Sequence, residues 1–304
     1  MASLKLYIGY YGINNIGDDL MLYYLTRKEP EKSYIFLQGK NYYDFIDEKN
    51  QIFVNSKNPL FILLFQLIFL INLKIKGLSE IIFGGGTQFS DNSTYFTKLK
   101  QLILLIFCKI LFIKVSAESV GIGKINKKYG LLNIILKMMD EISVRDQTSS
   151  NKLYFLNIRH SLKKDIVYNI KFKNIKKKKN KILITGTGSV LKLNKSYLDS
   201  YINFILKNIK INSLDIIFCV FQKDQDEFLF EELKKNIPNL KICFLEMDLN
   251  KISNLYSQTK YVIGMRYHSL ILADIFNIPF SGFSYDDKVK DLCYLKNMPF
   301  YKAL

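Results

Sequence analysis

The feature that most constrains this chain is a repeated alternation. Short apolar runs with β-like patterning are each followed by a segment whose apolar residues recur every three or four positions. Runs at 4–11, 34–37, 80–83, 111–115 and 141–144 read as strands in the first half, and runs at 181–185, 215–220, 241–244, 261–264 and 279–282 in the second. Amphipathic segments such as 196–210 and 226–236 lie between them. Strand, helix, strand repetition dictates a parallel sheet with right-handed crossovers, because a parallel neighbour is reached only by a long connection over the sheet face. The 304 residues leave room for about two such domains. The Lys-rich run at 171–180 (KFKNIKKKKN) reads as a solvated linker that cannot pack, which sets the domains at 1–172 and 173–304. The expected fold class is α/β: two doubly wound Rossmann-like domains facing each other across a cleft.

Charge narrows the function classes. The formal net charge is +17, from 44 Lys+Arg against 27 Asp+Glu, yet only Arg27, Arg145, Arg159 and Arg266 are Arg. A Lys, Ile and Asn surplus with no Trp reflects a coding habit, and it lacks the interleaved Arg and aromatics of a base-reading surface. Nucleic acid is therefore set aside as a partner. Where Lys is the default cation, an Arg reads either as a position that needs a bidentate fork for carboxylate or phosphate or as an Arg that has not drifted. Cys108, Cys219, Cys243 and Cys293 lie singly in apolar stretches with no CxxC pair, and read as reduced core residues with no metal site. The N-terminus runs straight into a strand-like segment with no apolar leader, so a cytoplasmic protein is expected. Two apolar stretches, 60–73 and 99–115, fall short of the roughly 20 residues that span a bilayer. They read as buried crossover helices; the alternative is an apolar face resting on a membrane, with nearby lysines meeting acidic lipids.

In doubly wound sheets ligands bind beyond the carboxyl ends of the strands, so the loops there are the candidate site. The first strand exits through Gly9, Gly12, Asn14, Asn15, Gly17 and Asp18, with a helix entered at Leu20. Asn15 is suited to hydrogen-bond a sugar or phosphate oxygen. Asp18 is either a first-turn helix acid or an acidic partner for a substrate hydroxyl. The strand at 80–83 delivers Gly84, Gly85 and Gly86, whose amides can wrap an anion or sugar. The segment 116–123, with Gly121 and Gly123, is a third glycine-bearing exit. The fifth strand ends at Arg145-Asp146, either a structural ion pair or an Arg facing the cleft. The strand at 261–264 leads through Arg266 and Tyr267 into a helix that starts near His268. His268 is one of two His in the chain and suits general acid or base work near neutrality, whereas His160, beside Arg159, reads as a surface residue. Lys288 follows the last strand and places another cation near these loops.

Taken in order, these segments resemble the polysaccharide pyruvyltransferases. The first loop is similar to the family's Gly-Asn-x-Gly-Asp entry, GGGTQ to its triple-glycine turn, SVGIG to its second glycine turn and ISVRDQTS to its Val-Arg-Asp segment. The stretch from Gly264 to Ser269, followed by Ile278-Pro279 and by Tyr285 to Val289, is similar to its Met-Arg-Leu-His and Tyr-Asp-x-Lys-Val pair. The resemblance implies a GT-B type fold and transfer of a pyruvyl group from phosphoenolpyruvate to two hydroxyls of a sugar, forming a cyclic ketal in cell-surface or extracellular polysaccharide. It implies donor binding by Arg145 and Arg266 with Tyr267 alongside, and His268 as the catalytic centre. No cofactor or metal is implied, only phosphoenolpyruvate as co-substrate and a glycan acceptor, free or lipid-linked, at the inner face of the plasma membrane. Lys288 is added on the donor side, and Asp18 is our assignment for holding or deprotonating the acceptor. Two departures stand out. Residues 184–189 (ITGTGS) lack the family's early Arg in the second domain, and Tyr267 stands where Leu is common. The rival readings are a nucleotide-sugar-dependent glycosyltransferase on the same fold and a non-catalytic basic membrane-associated protein.

Overall fold

The computed structural model describes residues 3–173, 175, 177–192, 194–209 and 214–302. By their contacts these form two units, Met1–Ile13 with Asp18–Ile166, and Asn14–Gly17 with Val167–Leu304.

The first unit runs β1 (Leu4–Ile8), α1 (Ile16–Thr26), β2 (Ser33–Leu37), β3 (Gln51–Phe53), α2 (Pro59–Ile75), β4 (Leu78–Gly84), α3 (Tyr95–Ile110), β5 (Lys114–Val120), α4 (Leu131–Lys137), β6 (Glu141–Val144), α5 (Gln147–Phe155) and β7 (Ser161–Leu162). Its seven strands form one parallel sheet in the order β3-β2-β1-β4-β5-β6-β7. Both faces are covered, so neighbouring residues on one strand go to different cores. Leu6, Ile81 and Phe36 pack with Leu70, Leu104 and Val115 on one side, while Tyr7, Ile82 and Ile35 pack with Leu22 on the other. Each such side chain contributes about 1.5–3 kcal/mol by leaving water.

Local chemistry sets the helix ends. Asn58 caps α2 by accepting from Leu60 and Phe61 amides, with Pro59 in the first turn where its missing N–H costs nothing. Thr94 caps α3, and Phe112, at φ 52°, turns the chain after it. This corrects two sequence expectations. The strand placed at 111–115 begins only at Lys114, because the helix continues to Ile110, and residues 116–120 are strand rather than loop. Helix α1 starts at Ile16, so Asp18 and Asp19 lie inside its first turn. A third correction concerns α2, expected to be buried. Only Leu63, Gln66, Leu70 and Leu73 are buried, and an apolar stripe faces outward. Among the described residues no helix is long and apolar enough to cross a membrane.

The second unit runs β8 (Lys181–Thr185), α6 (Gly188–Leu191), α7 (Lys195–Asn208), β9 (Asp215–Val220), α8 (Lys223–Lys234), β10 (Lys241–Phe244), α9 (Leu249–Ser257), β11 (Thr259–Gly264), α10 (Tyr267–Ile275), β12 (Phe280–Ser284), α11 (Asp287–Leu295) and β13 (Phe300–Lys302). Its six strands are parallel, in the order β10-β9-β8-β11-β12-β13. Ile182, Ile184, Phe218, Ile263 and Phe283 meet Tyr201, Phe204 and Leu229 in its core. The expected end of α7 at Lys210 lies outside the described residues. The Lys-rich run also differs from expectation, although Asn174 and Lys176 are outside the described residues. Its lysines reach solvent, but the Lys173 and Ile175 amides donate to Ser253 and Ser257 hydroxyls at 3.2 and 3.4 Å, and Phe172 packs 5.5 Å from Phe276. A short apolar anchor therefore docks a segment that composition alone marks as solvated.

Cys108, Cys219 and Cys293 are buried as expected, but Cys243 is half-buried. It pairs in register with Cys219 across β9 and β10.

Candidate active site

Each sheet reverses its strand order once, between β1 and β4 and between β8 and β11. Such switch points open a crevice at the carboxyl edge. Of the loops singled out in the sequence, those after β1, β4 and β11 flank these two places, and those after β5, β6 and β12 leave strands farther along the sheets.

In the first unit Asp18 is buried at the N-terminal turn of α1, where the helix dipole favours a carboxylate. The triple-glycine turn after β4 wraps against it. Gly85 and Gly86 have φ of +80° and +66°, and a Cβ on either would lie 3.2 or 3.3 Å from Asp18 Oδ1. Gln88 Nε2 donates to the Gly84 and Gly85 carbonyls at 2.9 and 2.8 Å and fixes the turn. The third loop is tied to the second: the Gly121 amide donates to Gly86 O at 3.0 Å and the Gly123 amide to Phe89 O at 2.8 Å. Asp18, Gly84, Gly85, Gly86 and Gly121 thus converge on one sheet edge.

Arg145 lies beneath this edge at the exit of β6. Its Nη1 is 3.1 Å from Asp165 Oδ2, in an ion pair buried on both sides, and its Nη2 is 3.5 Å from where a Gly121 Cβ would stand. Asp146 caps α5, accepting from the Ser149 amide at 2.7 Å.

Asp19 forms a second buried acid centre. The Tyr43 hydroxyl donates to its Oδ1 at 2.5 Å and accepts from the Gly12 amide at 2.7 Å. Burial pushes the Asp19 carboxyl up to about 8, opposed by the Tyr43 hydrogen bond and reinforced by the neighbouring Asp18 charge.

In the second unit Arg266 stands at the N-cap position of α10. Asp226 grips its guanidinium from two sides: Nη2 pairs with Oδ1, and Nε lies 3.2 Å from Oδ2. Nε also donates to Gly186 O at 3.2 Å and Nη1 to Gln222 Oε1 at 3.4 Å. Asp226 is fully buried and accepts the Phe221 and Gln222 amides at 3.1 and 2.9 Å. Burial raises its proton affinity, and the Arg266 charge pulls it back most strongly of the opposing effects. The glycines of the 184–189 segment make this packing feasible. A Cβ on Gly188 would lie 1.6 Å from Gln225 O, so only Gly lets the β8 exit approach α8 so closely.

Tyr267 and His268 follow in the first turn of α10, buried, with ring centroids 5.4 Å apart at 69°. The segment Asn14–Gly17 groups with this unit. The Ile16 amide donates to Phe221 O at 3.1 Å, Asn15 bridges to Gln222, and Asn15 Oδ1 accepts the Gly17 amide at 3.3 Å. A Cβ on Gly17 would lie 2.0 Å from His268 Nδ1, so Gly at that position leaves the imidazole its seat. Lys288, at the exit of β12, has its Nζ 3.1 Å from Asp286 Oδ2, the cap of its own helix. His160, read as a surface residue, is half-buried and bonded to Ser150 Oγ at 2.8 Å. Among the described residues no cluster of three His, Cys, Asp or Glu is arranged to hold a metal ion.

The polysaccharide pyruvyl transferase family model matches residues 15–287. The chain belongs to that family. The enzyme is accordingly a transferase, and the matched span holds every assigned residue from Asn15 to His268. No curated protein matches in sequence. Solved structures show what fold this member of the family has. The UDP-GlcNAc 2-epimerase of Methanocaldococcus jannaschii in complex with UDP-GlcNAc and UDP is 14% identical with a TM-score of 0.63, over 98% of this chain and 89% of that one. The UDP-GlcNAc 2-epimerase of Neisseria meningitidis bound to UDP-GlcNAc is 11% identical at 0.60, over 97% and 87%. MurG of Acinetobacter baumannii is 12% identical at 0.51, over 99% and 86%. The family member is thus built from two Rossmann-like domains of the GT-B type.

Sequence reasoning missed two acids of this pyruvyl transferase family member, Asp226 and Asp165, and read Asp19 only as a first-turn helix acid beside Asp18. One of them left a signal. Asp226 shares the buried stripe of α8 with Leu229, Phe230 and Leu233, and an acid on an apolar stripe calls for a buried cation.

Proposed function

We propose that this enzyme transfers the pyruvyl group of phosphoenolpyruvate to two hydroxyls of a glycan sugar, forming a pyruvate ketal. The observation that carries the reading is the Arg266-Tyr267-His268 turn at a strand exit, with the Arg fork pre-aimed by Asp226 and the imidazole seated against Gly17. The donor carries a carboxylate and a phosphate, two anions that suit an Arg fork and the amides of a helix N-terminus. Arg266 and Tyr267 hold the donor in this reading, and Lys288 adds positive charge at the next exit. Arg145 supplies positive charge beneath the Gly86–Gly121 turn.

The chemistry balances without a cofactor. A proton adds to the methylene carbon of the enol, giving a methyl group and positive charge at the adjacent carbon. One sugar hydroxyl adds there and loses its proton. The carbon–oxygen bond to phosphate then breaks, the second hydroxyl adds, and its proton leaves with inorganic phosphate as the overall balance. His268 is assigned to proton transfer in these steps, and Asp18 to holding or deprotonating an acceptor hydroxyl. The acceptor is a glycan, free or lipid-linked, and a cytoplasmic donor puts the reaction on the cytoplasmic side.

A second reading comes from the solved neighbours, several of which hold UDP or a UDP-sugar. A nucleotide-sugar transferase would bind UDP and release no phosphate from phosphoenolpyruvate. Titration of the purified protein with each donor, read by calorimetry and phosphate release, separates the two.

A further inference from the structure

Helix α2 presents an outward face that water does not explain. Leu60, Leu64, Ile68, Ile71 and Ile75 follow one another at spacings of four, four, three and four, and each is 43–83% exposed, Ile75 the most. Phe61, at 54%, widens the stripe at one end. The opposite side is already occupied by the core residues Leu63, Leu70 and Leu73. A surface helix of a water-soluble domain carries charge on its outer face, and one that is apolar all round is covered by something.

The patch continues past the helix. Lys74 Nζ donates to Phe112 O at 3.2 Å, which places the α3–β5 turn beside the end of α2. Phe112, 89% exposed, and Ile110, 65%, extend the apolar surface there.

The rim is mainly cationic, although Lys109 is paired with Asp140, which lies beside Phe112, and Lys98 with Asp91. Between Lys49 and Glu80, and between Asp91 and Glu118, the chain contains no acidic residue, while Lys57, Lys74, Lys76, Lys98, Lys100 and Lys109 all fall there. Among the described residues Lys57, Lys74 and Lys76 take part in no ion pair. A two-fold contact between copies would set the same basic rim against itself, which is repulsive. An anionic bilayer instead accepts the apolar stripe among its acyl chains and the lysines among its headgroups.

We infer that α2, with the Ile110–Phe112 turn, is an in-plane docking surface for an anionic lipid bilayer. At 17 residues the helix lies along the interface rather than spanning it. The inference stands apart from the proposed chemistry, since it concerns where the protein sits and not what it transfers.

The test is sedimentation of the full chain with vesicles of phosphatidylcholine alone or with phosphatidylglycerol added, with circular dichroism as a folding check. Wild type should pellet with the anionic vesicles and not with the neutral ones. Leu64→Gln with Ile68→Gln, both at exposed positions, should weaken binding by about tenfold or more while leaving the spectrum unchanged. Lys57→Gln and Lys76→Gln should each weaken it about fivefold. Wild type remaining in the supernatant, or the Leu64/Ile68 variant binding like wild type, overturns the inference. So does a concentration-dependent dimer in light scattering that the same variant abolishes, because the face would then be a contact between copies.

Discussion

Asp226 holds Arg266 by both carboxylate oxygens from a fully buried position, and its Oδ2 also accepts the Phe221 and Gln222 amides just ahead of α8. One acid therefore aims the fork and organises the β9 exit. Removing it leaves a half-buried guanidinium without its counter-charge. Asp226→Ala should cost about 3–5 kcal/mol in chemical denaturation. Asp226→Asn, which keeps the shape, should cost less and still lower turnover.

Arg266→Lys keeps the charge and loses the fork. We expect kcat/KM for the donor to fall roughly ten- to a hundredfold, with the melting temperature changed far less than in Asp226→Ala. His268→Ala should cost about 10²–10⁴ in kcat if the imidazole moves a proton in the transition state. Steady-state kinetics with both variants checks the pair.

Gly17→Ala is a test of position rather than chemistry. The new methyl would stand 2.0 Å from His268 Nδ1. The ring must move, so turnover should fall toward that of His268→Ala while the circular dichroism spectrum is kept. Wild-type turnover in this variant would show that the ring does not need its seat.

Asp19 gives a pH dependence with a defined sign. Its carboxyl is raised from 3.8 to about 8, so the folded state keeps a proton that the unfolded chain releases. The associated stability is fully present below about 4 and is lost as pH rises through about 8. Asp19→Asn should flatten the fall in melting temperature between those limits. Tyr43→Phe, which removes the hydrogen bond opposing the shift, should extend the fall to higher pH.

Cys243 should be the reactive thiol. The hydrogen bond with Cys219 lowers it to about 7, helped by Lys181, whereas burial pushes Cys108 up to about 12 and Cys293 up to about 11. Alkylation of the native protein at neutral pH, followed by peptide mass mapping, should label Cys243 first.

How much of this was legible beforehand follows from the physics of each signal. Strand–helix alternation is a periodicity, so the parallel sheets and the glycine-bearing exits were readable from the chain. Boundaries were less so: no periodicity told that α3 would run on to Ile110 before Phe112 turned the chain. Short edge strands β3, β7 and β13, of two or three residues, carry too little pattern to be seen. Arg266, Tyr267 and His268 were found because they sit next to one another in sequence. Their supports were not, because Asp226 is 40 residues from Arg266 and Asp165 is 20 from Arg145. Ion pairs closed by topology leave no local trace. For α2 the sequence left both a buried helix and an outward apolar face open, since a wholly apolar helix does not reveal which face the core will take.

The central claim is tested most directly by incubating the purified enzyme with phosphoenolpyruvate and a panel of pyranose glycans, free and lipid-linked. Inorganic phosphate and the glycan product would be followed together by mass spectrometry. The account predicts phosphate release matched one to one by a pyruvate ketal on the glycan, and loss of both in His268→Ala. Absence of phosphate release with every acceptor, together with saturable binding of a UDP-sugar, would contradict it.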